Sequence, residues 1–202
     1  MSQIALPLRG GPGRPQRIVV GNANARAVEA LAVPESWPFR TAVLAGPSRS
    51  GKSLLAGWFA EQGKGEAIDD ADALDETGLF HRWNRAQESG TPLLLVVGAG
   101  GWEIALPDLK SRLGAALQLE IGQPDDDMAG NLILALAEQY GLALGEDAVQ
   151  YLVPRAERSF AAIEKLVLTI DRLSMERKQP PTLSIWRDAL EAVLGSEQPR
   201  LL

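Results

Sequence analysis

The sequence predicts an α/β fold, a short parallel sheet sandwiched by helices, followed by a small all-α domain. Three observations carry this reading. The runs TAVLA (41–45) and PLLLVVG (92–98) are dominated by aliphatic side chains, as strands buried on both faces of a parallel sheet are. Between and after them lie segments whose apolar residues recur at helical spacing, the alternation that builds βαβ units. From residue 123 onward every periodic stretch is helical.

Composition bounds the function. At 202 residues the chain accommodates one domain and a small companion. A net charge of −6 argues against a strongly basic surface for nucleic acid, so direct sequence-specific DNA binding is not expected. The absence of cysteine excludes disulfides, thiol catalysis and thiolate metal sites, and suits a reducing compartment. No apolar run approaches the roughly 20 residues that cross a bilayer, and the opening MSQIALPLRGG lacks the basic leader and long apolar stretch of a signal peptide. The expectation is a cytoplasmic protein with no membrane partner.

The elements follow in order. QIALPL (3–8) precedes RGGPGRPQR (9–17), whose Gly, Pro and Arg extend neither helix nor sheet. The hexapeptide reads either as a strand packed on its own domain or as an apolar hook on a flexible leash that keeps it free of the domain. As a hook, Ile4, Leu6 and Leu8 are its anchors, Gln3 hydrogen-bonds in a partner's pocket, and Pro7 preorganises the extended backbone. NANARAVEALA (22–32) reads as a helix opened by a capping Asn and ended by the prolines of VPESWP.

Strand 41–45 then empties into GPSRSGKS (46–53), with helical SLLAGWFAEQ (53–62) after it. G-x-x-x-x-G-K-[ST] between a strand and a helix is a phosphate-binding loop. Gly46 and Gly51 let the backbone through Pro47, Ser48, Arg49 and Ser50 wrap closely around phosphates, while the helix N-terminus that runs into Leu54 faces the anion. Lys52 supplies charge for the outer phosphates and the Ser53 hydroxyl a ligand for Mg²⁺, so ADP or ATP with Mg²⁺ is the expected cofactor.

Such a loop needs an acidic partner at the end of another strand. EAIDDADAL (66–74) offers Asp69 and Asp70, with Asp69 the candidate Mg²⁺ holder. Only Ala67 and Ile68 precede them as apolar strand residues, so the acidic cluster of Asp70, Asp72 and Asp75 reads equally as a solvated cap of the next helix. That helix, 76–90, sets Leu79, Phe80, Trp83 and Ala86 on one face. His81, the single histidine, has no Cys or second His to share a metal with and reads as a bystander. The strand 92–98 ends in Gly98-Ala99-Gly100, where nucleotide switches often place an Asn or Asp. Beyond 123, Asp125–Asp127 open a helix at its favourable end for negative charge, and three further helical stretches follow at 146–157, 159–178 and 183–194.

Taken in order, GPSRSGKS, IDDADAL, LLLVVG and LPDLKSRL (106–113) resemble the AAA+ module of the DnaA-related ATPases, and more closely their shortened regulatory branch, the Hda group, which lacks the DNA-binding domain. The resemblance spans nearly the whole chain. QIALPL looks like the Q-L-x-L-P-L peptide with which that group docks on the DNA polymerase sliding clamp. The arginine matching Arg112 is that family's arginine finger, acting in trans on a partner's ATP. The helical tail looks like the lid that closes over the nucleotide base. The resemblance therefore implies a tail and linker (1–17), a P-loop AAA+ domain (18–122) and a lid (123–202). It implies the sliding clamp and the DnaA initiator as partners, a location at the replisome on the nucleoid, and negative control of replication initiation by stimulating hydrolysis of DnaA-bound ATP. Self-association is left open. From the residues alone, Arg112 is a surface charge on an amphipathic helix and the tail an ordinary bundle.

Three features depart from that pattern. The chain between the P-loop helix and Asp69 is too short for the usual extra strand and helix, so about four core strands are expected. Ala99 stands where an acidic or amide sensor is usual, and Ala161 where the lid arginine is, with Arg158 one turn earlier. Weak intrinsic hydrolysis and tolerance of ADP follow. After residue 194 only GSEQPRLL remains, which leaves no room for a helix-turn-helix. Two other readings stay open: a degenerate nucleotide-holding scaffold tethered to the clamp, and a small P-loop kinase using Arg155, Arg158 and Arg172.

Overall fold

The structure, a computed structural model, describes residues 17–195 and the backbone of Leu6–Pro7. Among the described residues, Ala23–Gly122 forms one compact unit, and those up to Asn22 together with those from Gln123 onward form the other. Two short strands, β1 (Leu6–Pro7) and β2 (Arg17–Ile18), pair antiparallel, with Leu6 opposite Ile18 and Pro7 opposite Arg17. The middle of the N-terminal hexapeptide is thus paired to its own chain instead of standing free on the leash. Pro7 lies in a two-stranded pair, in which each strand is an edge strand, the place where sheets admit proline. Gln3, Ile4 and Leu8 lie outside the described residues.

In the α/β unit, α1 spans Ala25–Ala32. Asn24 occupies its N-cap position, but the side chain makes no capping bond and is buried instead, which corrects the expected cap. Asn22 has a different task within the helical unit. Its amide donates to the Gln123 carbonyl at 3.1 Å and its oxygen accepts from the Asp125 N–H at 3.0 Å.

The sheet contains β3 (Thr41–Ala45), β4 (Glu66–Ile68), β5 (Leu93–Val97) and β6 (Leu117–Glu120), all parallel, in the order β4-β5-β3-β6. Four strands match the expectation. All five residues of β5 are buried, which is why its sequence is aliphatic without alternation. Along β5, Leu93, Leu95 and Val97 pack on one face with Leu79 and Trp83 of α3 (Glu76–Ser89) and Leu109 and Leu113 of α4 (Pro107–Gly114). Leu94 and Val96 alternate to the other face. The helix α2 (Lys52–Glu61) packs on β4 and β5 and buries Leu55, Ala56 and Phe59. Phe59 stacks on the buried Trp37 at 5.3 Å, and the Trp37 indole N–H donates to the Ala30 carbonyl at 2.8 Å, so the burial of this ring leaves its polar atom satisfied.

The helical unit is built from α5 (Asp126–Tyr140), α6 (Glu146–Leu152), α7 (Phe160–Arg177) and α8 (Leu183–Gly195). Its core centres on Ile133, Leu152, Leu166, Ile170 and Ile185. Asp125 caps α5 by accepting from Met128 N–H at 2.9 Å, and Ser159 caps α7 by accepting from Ala162 N–H at 3.1 Å. Gly130 permits the close approach of α5 to α6, since a Cβ there would lie 2.8 Å from Val149 Cγ1.

Candidate nucleotide-binding site

The sheet topology fixes where the site lies. Parallel strands all end at the same edge, and β3 pairs with β5 so that Ala45 is opposite Val97. Gly46 and Gly98 therefore leave the sheet side by side, and Asp69 follows directly on Ile68, which pairs with Leu95. The crevice beyond the carboxyl ends of such strands is where open α/β sheets hold ligands.

Within the loop, each glycine has a distinct reason. A Cβ on Gly46 would come within 2.9 Å of Ile121 Cβ, so only glycine fits. Gly51 has φ +86°, a left-handed conformation that lets the chain turn straight into α2 at Lys52. Arg49 also has positive φ, 63°, strain of the kind that folds hold at ligand sites. The Lys52 ammonium folds back over the loop and donates to the carbonyls of Gly46 at 2.8 Å and Pro47 at 2.7 Å. Ser50 is 5% exposed, and its buried hydroxyl has no hydrogen-bond partner. Ser48 and Ser53 are exposed, and Leu54 is half-buried in the first turn of α2. A backbone cradle that a Cβ would fill, a cation folded over it and an unsatisfied hydroxyl fit the phosphates of a nucleotide. Ser53 offers the hydroxyl for Mg²⁺.

The acidic loop resolves into separate roles. Asp75 is the N-cap of α3 and accepts from Gly78 N–H at 2.7 Å. Asp72 accepts from Gly98 N–H at 2.9 Å, tying the end of β4 to the end of β5. Asp70 has φ 49° and opens a short 3₁₀ turn, Ala71–Ala73. Asp69 is exposed at the strand end and accepts from the neighbouring Asp70 N–H at 3.2 Å. Of the four, Asp69, directly after a strand of only three residues, is the carboxylate that could hold Mg²⁺.

Arg112 lies in the last turn of α4. Its guanidinium sits 4.3 Å from the centre of the Phe80 ring and 4.5 Å from that of Trp83, and donates to the side-chain oxygen of Asn84. His81 is exposed beside this cluster, its ring edge-on to Phe80 at 6.0 Å. In the helical unit, Arg155 donates to the Tyr151 carbonyl and covers the Tyr151 ring, Arg158 pairs with Asp126 at 2.9 Å, and Arg172 pairs with Glu176 at 2.9 Å. All three arginines weighed for kinase chemistry are engaged inside their own unit. Ala161 is exposed on the first turn of α7. Among the described residues, no group of three or more His, Cys, Asp or Glu could hold a metal ion by itself, and no helix is long and apolar enough to cross a membrane.

The four-strand parallel sheet, the loop after its central strand and the helical second unit define the AAA+ class of P-loop folds. Comparison with solved structures places the fold within it. The chain is similar to domain III of the replication initiation protein DnaA of Thermotoga maritima, with a TM-score of 0.69 and 15% identity, covering 88% of this chain and 93% of that one. It is also similar to the RuvB Holliday junction branch migration motor of T. maritima (TM-score 0.62, 18% identity, 86% of this chain and 70% of that one). AMPPCP-bound DnaA from Aquifex aeolicus is a third such structure (TM-score 0.60, 17% identity, 79% and 66%). No protein-family model matches the sequence. An uncharacterized protein of Haemophilus influenzae is 24% identical over 111 residues, which are 54% of this chain and 48% of that protein, so the match spans about half of that relative.

Proposed function

We propose that this chain is a DnaA-related AAA+ adaptor of the Hda type. It binds ADP or ATP at 46–53, docks on the DNA sliding clamp through QIALPL, and promotes hydrolysis of ATP held by DnaA, so restraining replication initiation. The single observation that carries the reading is the loop between β3 and α2, with Lys52 folded over a cradle only Gly46 can line, inside a fold like that of DnaA domain III.

Bound nucleotide would supply the negative charge that the loop's main-chain N–H groups and Lys52 neutralise. Lys52 then exchanges the carbonyls of Gly46 and Pro47 for phosphate oxygens, and Ser53 with Asp69 would hold Mg²⁺. By the family resemblance, Ala99 and Ala161 stand where related proteins carry groups that read the terminal phosphate, so the site accepts ADP as readily as ATP and hydrolyses slowly. Arg112 acts on the partner's nucleotide. To do so it exchanges the Phe80 and Trp83 faces and the Asn84 oxygen for the partner's phosphate oxygens. Clamp docking likewise replaces the pairing of Leu6–Pro7 with Arg17–Ile18.

The engagement of Arg112 by its own chain is the one observation favouring the second reading, a nucleotide-holding scaffold tethered to the clamp. Reconstitution with loaded clamp and ATP-bound DnaA, following phosphate release, separates them. The adaptor accelerates release and loses that effect with Arg112→Ala while keeping clamp binding. A scaffold leaves the rate unchanged with either protein.

A further inference from the structure

The helix that carries Arg112 has no cap of its own. Its N-cap position is Leu106, followed by Pro107, and the Leu106 side chain makes no capping bond. The backbone N–H groups that lead into the helix are held from α3: Glu76 accepts the Ala105 N–H at 2.9 Å with one carboxylate oxygen and the Leu106 N–H at 2.6 Å with the other. A carboxylate at that end also faces the positive pole of the α4 dipole. Further along α3, Phe80 and Trp83 hold the guanidinium and Asn84 accepts from it. Residues 76, 80, 83 and 84 stand at i, i+4, i+7 and i+8, a single stripe of one helix. One face of α3 therefore grips α4 at both ends.

We propose that Glu76 is a positioning residue for Arg112: by fixing the start of α4 it sets where the helix lies, and with it the point from which the guanidinium leaves α3 and reaches a partner's nucleotide. The functional part of this rests on the reading of Arg112 as the group that acts on a partner's nucleotide. Without Glu76, α4 keeps its buried Leu109 and Leu113 but loses the anchor that fixes its start, so the helix and its Arg112 shift against the Phe80 and Trp83 rings.

Two readouts test it. The first needs no partner: the side-chain resonances of Arg112 carry a ring-current shift from Phe80 and Trp83. Glu76→Ala is expected to collapse that shift toward free-arginine values. Glu76→Gln, which keeps one acceptor oxygen, is expected to fall between, and it carries the test should the alanine variant not fold. The second is stimulated hydrolysis of DnaA-bound ATP at saturating adaptor. Glu76→Ala is expected to lower that rate roughly tenfold or more, with an unchanged half-saturating concentration, and to add nothing in an Arg112→Ala background. Ring-current shifts untouched by Glu76→Ala would overturn the proposal, as would a loss of rate that persists on top of Arg112→Ala. If Arg112→Ala alone leaves the rate unchanged, the reading of the arginine fails, and the resonances still decide whether Glu76 positions it.

Discussion

Replacing Lys52 with alanine acts on the loop in both its states. In the free protein the ammonium makes two short bonds, to the Gly46 and Pro47 carbonyls. Each is charge-assisted, but the side chain is only half-buried and water can take its place at the carbonyls, so their joint loss costs about 1–2 kcal/mol. With nucleotide bound, the same substitution removes a cation from a phosphate, about 2–3 kcal/mol, or roughly thirty- to hundredfold in affinity. Thermal melts with and without ADP read both effects. At ADP one hundred times its Kd, the unaltered protein gains about 2.7 kcal/mol. For a chain of this size that raises the midpoint by roughly 5–10 °C. At the same ADP concentration Lys52→Ala gains only about 0.4–0.9 kcal/mol, roughly 1–3 °C, and its ligand-free midpoint is a few degrees lower. A variant that keeps the full ADP-dependent rise would refute the assignment of Lys52.

Asp69→Asn is expected to remove most of the Mg²⁺ dependence of nucleotide binding, measured by titration with and without EDTA. Asp75→Ala costs about 1 kcal/mol of stability through the lost cap and leaves that dependence intact. Arg112→Ala forfeits contacts with two rings and Asn84, so it is expected to cost about 1–2 kcal/mol in denaturant unfolding. Its effect on hydrolysis is accordingly to be compared with that of Arg112→Lys at matched folded fraction, since a lysine cannot reproduce the planar guanidinium. Leu6→Ala combined with Leu8→Ala is expected to abolish clamp binding in a surface-binding assay with little change in melting temperature. Clamp binding that survives would end the hook reading, and a collapse of stability would assign the segment to the fold.

Much of the α/β unit is legible because burial on both faces forces the composition of β3 and β5, and the phosphate loop is a strand-loop-helix pattern with few other physical meanings. β4 is legible only as a suspicion, since Ala67 and Ile68 are all that its three residues show. The strand β6 announces itself by alternation, with Leu117, Leu119 and Ile121 spaced by polar Gln118 and Glu120, but the signal is only five residues long and follows a helix without a strong break. The cap reading of the acidic cluster holds for Asp75, while the roles of Asp72 and Glu76 are not readable in advance. Three acids in one loop look alike until folding brings Gly98, Gly78 and the start of α4 to them. Arg112 belongs to the same class: its spacing marks an amphipathic helix, and nothing in that spacing reveals that Phe80, Trp83 and Asn84 wait on α3.

The most direct measurement is calorimetric titration of the intact protein with Mg·ADP and, separately, Mg·ATP. Saturable one-site heats with both, at affinities within about tenfold of each other, are expected if main-chain amides around Lys52 take up the shared phosphates and no side chain reads the terminal one. Absence of heat with either nucleotide would contradict the account at its root.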